Sequence, residues 1–345
     1  MGGISSKCGI LADGRYLDHE TGPHVETPQR LKVIYEMLQS EKIHERTASI
    51  AARYASEEEI ALNHTTSYIQ QLKNMGAGYL DADTILSEKS YDVARLAVGG
   101  CLNVVDDIMA GKISRGFAFV RPPGHHAERD RGMGFCLFNN IAVAARHLIK
   151  KHSLNKIAIL DWDLHHGNGT QHAFYAEKEV LYMSIHQCPC YPGTGQLEEI
   201  GEEEGEGFNV NLPIPAGVGD EGYIEAFDKL FLPILEKYSP HIILVSAGFD
   251  THYDDPLGGM KVTAEGFAEM GQALINIANQ NCNGKIAFFL EGGYSLSALS
   301  ESVKELLLRA LEEKKSPLEE KAHLSNIVHL IEKAKNLHSK FWRDL

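Results

Sequence analysis

The chain has 345 residues, 43% of them hydrophobic and 23% charged, with a formal net charge of −14. The acidic balance argues against general nucleic-acid binding and is compatible with cationic substrates, and the length suits one large α/β domain or two ordinary ones. Six cysteines with no CxxC pair exclude a disulfide framework, and the absence of a leader or a membrane-length apolar run makes the reducing cytoplasm the expected setting.

In chain order, Met1 to Ser6 fits the short pattern for amino-terminal myristoylation. Arg15 to Thr27, with Asp18, His19, Glu20, His24 and Glu26 among Gly22 and Pro23, reads as a loop. Pro28 to Leu38 reads as a helix with proline in its first turn and Thr27 as its cap. Asn74 to Ser87 is rich in Gly and Asp and reads as a second loop, with Asp81 and Asp83 forming turns. Tyr91 to Met109 has the helical period and ends at Gly111.

From there strands and helices alternate. Strands are expected over 117–120, 157–160, 180–185, 208–212, 242–245 and 286–290. Helices are expected over 141–150, 170–175, 223–238 with a break at Pro233, 264–278, 297–313 and 317–337. This alternation indicates a mostly parallel sheet covered on both faces, and no linker divides residues 1–345. Glu202 to Gly207 reads as a solvated loop.

The polar residues worth noticing follow the strands. Arg121-Pro122-Pro123-Gly124-His125-His126 follows the first of them, and Asp161-Trp162-Asp163-Leu164-His165-His166-Gly167-Asn168-Gly169 follows the second. His186, Asp250 and Glu291-Gly292-Gly293-Tyr294 follow later strands. In open parallel sheets a ligand site lies at the carboxyl ends of the strands, so these segments describe one site assembled from distant parts of the chain.

Residues two apart in extended chain point to the same side, so Asp163 and His165 can grip one divalent metal together. Asp161 lies on that side too, as a third ligand or as an acceptor for a neighbouring ring. Three protein ligands with an open position is the usual pattern of a catalytic zinc, and Asp163, His165 and Asp250 would supply it. Two carboxylates leave the metal with little residual charge, so a protein base is needed beside it. His125 and His126 are candidates, since imidazole can accept a proton from water and then pass one to a leaving amine. Asp161 and Asn168 can fix the tautomers of the two histidines. Tyr294, on a Gly-Gly turn, can donate to a developing oxyanion.

Taken together these stretches resemble the histone deacetylase family, in particular its bacterial deacetylase-like and acetylpolyamine-amidohydrolase-like members. The resemblance runs from about Asp18 to Ser302. It rests on HVETPQRL at 24–31, RPPGHHA at 121–127, GFCLFNN at 134–140, DWDLHHGNGTQ at 161–171, YPGTG at 191–195, SAGFDTHYDDPLGGM at 246–260 and EGGY at 291–294. It implies a three-layer α/β/α fold of the arginase/deacetylase type, with a mostly parallel sheet of about eight strands. It implies one catalytic zinc on Asp163, His165 and Asp250 and inhibition by hydroxamates. It makes His126, paired with Asn168, the general base and acid, with His125 and Asp161 in support. Tyr294 matches the tyrosine that acts in the transition state. Phe135 and Tyr191 match the aromatic walls of an acyl-lysine tunnel, Gly134 lines it, and Arg30 matches an arginine deep behind it. A structural potassium is implied near Asp161, Asp163, His165 and Ser184, held largely by main-chain oxygens.

Some positions depart from the family pattern. Val25 follows His24 where proline is common, Tyr191 stands where phenylalanine is frequent, and Cys188-Pro189-Cys190 is unusual in the rim loop. Asn168, where some relatives carry aspartate, matches the class II style. Two readings of the substrate remain open: acyl-lysine, or an acetylated polyamine or similar small acylated amine. Polyamine-selective relatives place a glutamate where this chain has Leu257, which offers no attraction for a cation. A manganese ureohydrolase would need extra aspartates where Gly167 and Gly248 stand, and an acyl-lysine binding module without turnover would not need the histidine pair and Tyr294. The ligand set accepts Zn²⁺ or Fe²⁺. The oligomeric state is not legible.

Overall fold

The computed structural model describes residues 8–312 and 325–345, so the amino-terminal hexapeptide and the start of the last expected helix fall outside the described residues. In chain order the strands are β1 (Cys8–Leu11), β2 (Ala48–Ser49), β3 (Gly78–Tyr79), β4 (Ile85–Leu86), β5 (Arg115–Ala118), β6 (Ile157–Asp161), β7 (Val180–Gln187), β8 (Asn209–Ile214), β9 (Ile242–Ala247) and β10 (Ile286–Leu290). Eight of them form one sheet in the order β2-β1-β5-β10-β9-β6-β7-β8, and every pairing in it is parallel. The strands β6, β9 and β10 are buried at every residue. Strands buried on both faces need helices on both, which is why they read as continuous apolar runs. The α/β fold with an eight-stranded sheet is the one the sequence predicts.

Register decides where the site lies. Asp161 at the end of β6 pairs with Ser184 of β7 and Ser246 of β9, and Leu290 at the end of β10 pairs with Ala247. The carboxyl ends of β6, β9 and β10 are therefore level to within a residue, while β7 runs on to Gln187, and the loops that leave the three converge. Beneath that point Trp162 is fully buried against Phe288 and Phe267, with ring centroids 6.0 and 6.4 Å away.

The long helices lie within three residues of the expected ends: Ser90–Met109, Asn140–His152, Ala264–Asn281 and Leu296–Glu312. The helix expected over 28–38 is Gln29–Ser40; Pro28, not Thr27, holds its cap position, although Thr27 Oγ1 accepts the Gln29 N–H at 3.0 Å. The helix expected over 223–238 starts at Asp220 and opens into a π-helical turn at Phe227–Phe231, just before Pro233. Proline has no N–H to return to the preceding turn, and a wider turn is one way a helix absorbs that loss.

Other elements differ from the sequence reading. β1 and β2 pass unnoticed because four and two residues carry no period. The Gly- and Asp-rich stretch contains the antiparallel pair β3–β4. Glu57–Ile60 and Thr66–Met75 are helices, the first closed by a capping box between Ser56 and Glu59. β5 lies two residues earlier than expected. Cys101, Cys136, Cys188, Cys190 and Cys282 are free thiols, and no helix of the described residues is long and apolar enough to cross a membrane.

The helix Ser90–Met109 packs tightly against the 53–55 segment at Gly99. A Cβ there would lie 2.1 Å from the carbonyl oxygen of Arg53 and 2.5 Å from the amide nitrogen of Ala55. In an open helix Gly→Ala is stabilising by roughly 0.5–1 kcal/mol. Gly99→Ala is predicted to do the reverse, lowering stability by about 1–3 kcal/mol as an overpacked core does. Urea denaturation of both proteins measures the sign.

Candidate active site

Asp163 and His165 sit on the loop that leaves β6, and Asp250 on the loop that leaves β9. His165 Nδ1 lies 3.1 Å from Asp250 Oδ2 and 3.3 Å from Asp163 Oδ1. One ligand atom from each of the three lies within 4.8 Å of the others. The second oxygen of each carboxylate is held by backbone: Leu164 N–H donates to Asp250 Oδ1 at 2.9 Å and Gly292 N–H to Asp163 Oδ2 at 2.8 Å. Burial, with the charge of Asp163 beside it, pushes the Asp250 carboxyl up to about 7. Burial acts the same way on Asp163, but the imidazoles of His125 and His165 outweigh it and hold that carboxyl below its ordinary range. Two buried carboxyls crowded round one imidazole fit a divalent cation, which would relieve their repulsion.

Three glycines make the crowding possible. A Cβ at Gly248 would lie 2.0 Å from Asp163 Oδ2, one at Gly292 2.3 Å from Asp250 Oδ2, and one at Gly167 2.3 Å from Asp161 Oδ2. Side chains at 167 and 248 have no room here, so the positions where a two-manganese site would carry carboxylates are closed.

The histidine pair lies beside this set, with ring centroids 4.0 Å apart. His125 Nδ1 is 3.0 Å from Asp161 Oδ2, and His126 Nδ1 is 2.8 Å from Asn168 Oδ1. Tyr182 also donates to Asp161 Oδ2 at 3.2 Å. Burial lowers the pKa of both rings, but Asp163, Asp161 and Glu291 outweigh it at His125 and raise that ring to about 10. At His126 burial combines with the charges of His125 and His165 and takes the ring well below its ordinary value. Adjacent imidazoles are thus split into a charged member and a neutral one, and only the neutral one can accept a proton.

Tyr191 and Gly134 lie against His126, and Phe135 lies against Tyr294. The Tyr191 ring stands edge-on to His126 at 5.1 Å, and Phe135 edge-on to Tyr294 at 5.8 Å. Gly134 is tight against both sides, since a Cβ there would meet the His126 ring at 2.5 Å and Tyr191 at 3.0 Å. Phe135 has a φ of 69°, a left-handed conformation that costs a bulky residue on the order of 1–3 kcal/mol and is held here by packing against His24. Burial keeps the Tyr294 phenol well above its ordinary pKa, so its hydroxyl remains a donor.

A scan against family models matches residues 24–310 to the histone deacetylase domain. The chain belongs to the histone deacetylase family. It is 37% identical to a protein named "Probable deacetylase" from Archaeoglobus fulgidus, over 97% of this chain and 98% of that one. It is 37% identical to a histone deacetylase-like amidohydrolase from Pseudomonas aeruginosa, over 79% of this chain and 73% of that one. Among solved structures, the HDA15 HD domain superposes with a TM-score of 0.91 at 38% identity, covering 98% of this chain and 96% of that one. The activity class of this histone deacetylase relative is therefore that of a deacetylase-type amidohydrolase.

Other candidates take places away from the metal ligands. Arg30 is fully buried behind Tyr294, its guanidinium carbon 4.9 Å from the ring centroid. It donates to the carbonyls of Gly293, at 2.6 Å, and Glu291, so it holds the Gly-Gly turn from behind. Ser184 is buried, with its hydroxyl 2.9 Å from His186 Nδ1. Leu257 and Tyr191 are about equally exposed, at 38% and 39%. Asp255 turns inward: it accepts the N–H groups of Tyr294 at 2.6 Å, Ser295 at 3.2 Å and Leu257 at 3.0 Å.

Sequence reasoning missed four supporting carboxyls: Glu26, Glu128, Asp255 and Glu291. Glu291 Oε2 accepts the N–H groups of Gly124 at 2.6 Å and His125 at 3.2 Å, tying β10 to the histidine loop. Its place in the EGGY string was a signal that went unused. Glu26 is fully buried between Arg121, at 2.5 and 2.6 Å, and Arg30, at 3.1 Å.

Burial opposes ionisation of Glu26, yet the two arginines pull its carboxyl from 4.5 down to about 2. A carboxyl depressed on folding contributes stability that is present above its unfolded pKa and is lost as pH falls through its folded one. Wild type is therefore predicted to lose stability between pH 4.5 and about 2 from this group. Glu26→Gln should lose about 3–5 kcal/mol at neutral pH, because it strands two buried guanidiniums, and its acid limb should be flatter. Denaturant midpoints across that range measure both effects.

Proposed function

We propose that the protein is a zinc-dependent deacylase that removes acetyl, or another short acyl group, from the side-chain amine of an acylated lysine. The observation that carries this reading is His126, held at Nδ1 by Asn168 beside three converging ligands, with Tyr191 edge-on to its ring and Phe135 edge-on to Tyr294. Asp163, His165 and Asp250 would hold the ion, and Fe²⁺ suits the same donors. When bound, the ion supplies Lewis acidity, which makes water more acidic and polarises the acyl carbonyl. A structural K⁺ near Asp161, Asp163, His165 and Ser184 belongs to the same proposal, as does a single catalytic unit spanning the chain.

The protein's own residues then divide the work. Phe135 and Tyr191 take the apolar stem of the substrate and exclude water. His126 accepts the proton of the attacking water at Nε2, since its Nδ1 is engaged by Asn168. It then donates that proton to the leaving amine. His125 keeps its proton and its positive charge, which stabilises the negative charge developing nearby. The Tyr294 hydroxyl donates to the oxyanion, and Arg30 and Asp255 hold the turn that presents it.

The choice between acyl-lysine and an acetylated polyamine turns on the rim. The extra ammonium groups of a polyamine need acidic partners, and Leu257 offers none. Asp255 is engaged with backbone, which leaves exposed Asp254 and the Asp81–Asp83 turn, whose neighbour Thr84 accepts the N–H of Phe135 at 3.1 Å. The position of Leu257 favours acyl-lysine.

The test is a substrate panel on protein stripped with a chelator and reloaded with Zn²⁺: an acetyl-lysine peptide, a longer acyl-lysine peptide and acetylspermidine. Activity should vanish on stripping and return on loading, and a hydroxamate should inhibit it. The acetyl-lysine peptide should have the higher kcat/KM. A tenfold advantage for acetylspermidine, about 1.4 kcal/mol, would replace this reading with the polyamine one. Tyr294→Phe should retain its metal and lose on the order of 10²–10³ in kcat, as the loss of one oxyanion donor does.

A further inference from the structure

We propose that Glu128 is a positioning residue that sets the working tautomer of His126 by fixing the side-chain amide of Asn168. This rests on the assignment of His126 as the general base. Asn168 opens the helix Asn168–Phe174, and His172 lies four residues on, so both side chains leave the same face. That helix lies hard against the segment after the histidine pair: a Cβ at Gly169 would be 2.2 Å from the carbonyl oxygen of Ala127. Glu128, only 8% exposed, is thereby placed between Asn168 and His172. Its Oε1 accepts from Asn168 Nδ2 at 2.5 Å, and its two oxygens lie 2.9 and 3.0 Å from His172 Nδ1. His172 is half-exposed and closes the chain of contacts at the surface.

An amide can present either its oxygen or its nitrogen to an imidazole, and the two ends select opposite tautomers. Here three acceptors surround the nitrogen: Glu128 Oε1, the His126 carbonyl at 3.2 Å and Met133 Sδ at 3.5 Å. The amide oxygen is left facing His126 Nδ1 at 2.8 Å, so Nδ1 must carry the hydrogen. The lone pair of the neutral ring is then on Nε2, the atom that has to accept a proton. Among the three acceptors only Glu128 is charged, and a charged acceptor makes roughly twice as strong a hydrogen bond as a neutral one. Asparagine therefore keeps a neutral group against the base, and a carboxylate one step further away fixes its orientation.

The experiment combines Glu128→Ala, Glu128→Gln and Asn168→Asp. With an acetyl-lysine peptide, Glu128→Ala should lower kcat about 10–100-fold with KM little changed. Glu128→Gln should recover part of the loss, because an amide oxygen still accepts from Asn168. The decisive arm is the sign of the coupling. Asn168→Asp sets a carboxylate against Glu128 and should impair turnover, and adding Glu128→Gln should now restore activity, because the introduced amide can donate to the introduced carboxylate. Multiplicative effects, or wild-type kcat in Glu128→Ala, would overturn the proposal. A readout independent of turnover is ¹⁵N NMR of histidine-labelled, zinc-loaded protein. His126 should be protonated at Nδ1 in wild type and should populate the other tautomer in Glu128→Ala; an unchanged tautomer would overturn the proposal. If wild type hydrolyses no acylated amine, the deacylase reading fails, and the NMR arm still decides the role of Glu128. Should Glu128→Ala not fold, the Glu128→Gln and Asn168→Asp cycle carries the test.

Discussion

Asp161, Asp163, Asp250 and Glu291 are all buried at the carboxyl ends of neighbouring strands, and the rest of the site depends on making that tolerable. An unpaired buried charge costs several kcal/mol, so each carboxyl needs donors on most of its lone pairs. Most of the donors are backbone N–H groups: Asp163 to Asp161, Leu164 to Asp250, Gly292 to Asp163, and Gly124 and His125 to Glu291. Backbone donors come from chain that must approach closely, which explains the glycines at 167, 248 and 292, where a Cβ would collide with a carboxylate. The level ends of β6, β9 and β10 bring those loops within reach of one another. Sheet register, loop glycines and buried charge are one solution to one electrostatic constraint.

The same constraint gives the two histidines opposite characters. They are adjacent in sequence and close in space, and both are buried. His125 faces the carboxylate cluster and is raised to about 10; His126 turns away from it, against the charged His125 and a neutral amide, and is lowered. Two identical side chains thus become an electrostatic support and a base through their neighbours alone. A carboxylate in direct contact with His126 would raise its affinity for the proton and blur that division.

What the sequence made legible follows from how information is distributed along the chain. β6, β9 and β10 are apolar runs five or six residues long with polar residues immediately after them, so both strand and site residues can be read locally. Asp161, Asp163 and His165 stand close together in one string, and family resemblance carried the residues that one string could not supply. Glu128 and Asp255 were not legible, because their roles exist only through contacts 39 or 40 residues away in the chain. The 167-residue separation of Glu291 from Gly124 is of the same kind. β1 and β2 were missed for a different reason: very short strands are defined by their neighbours in the sheet and not by their own pattern.

The buried ions around the site also bear on what the protein holds. Asp161, Asp163, Asp250, Asp255, Glu291 and Glu26 are buried acids, and the cationic groups facing them are Arg30, Arg121, His125 and His165. Fully ionised, these acids outnumber the cations that face them in a low-dielectric interior. Without further cations the strain falls on the weakest members, and Asp250 and Glu291 are both pushed up to about 7, burial leading in each case. A divalent cation held by Asp163, His165 and Asp250 would supply positive charge there. Arg30 and Arg121 cannot supply it, because they are committed to Glu26 and to backbone carbonyls on the far side of Tyr294. The charge balance of the interior therefore fits a divalent cation among Asp163, His165 and Asp250, as the ligand motif does.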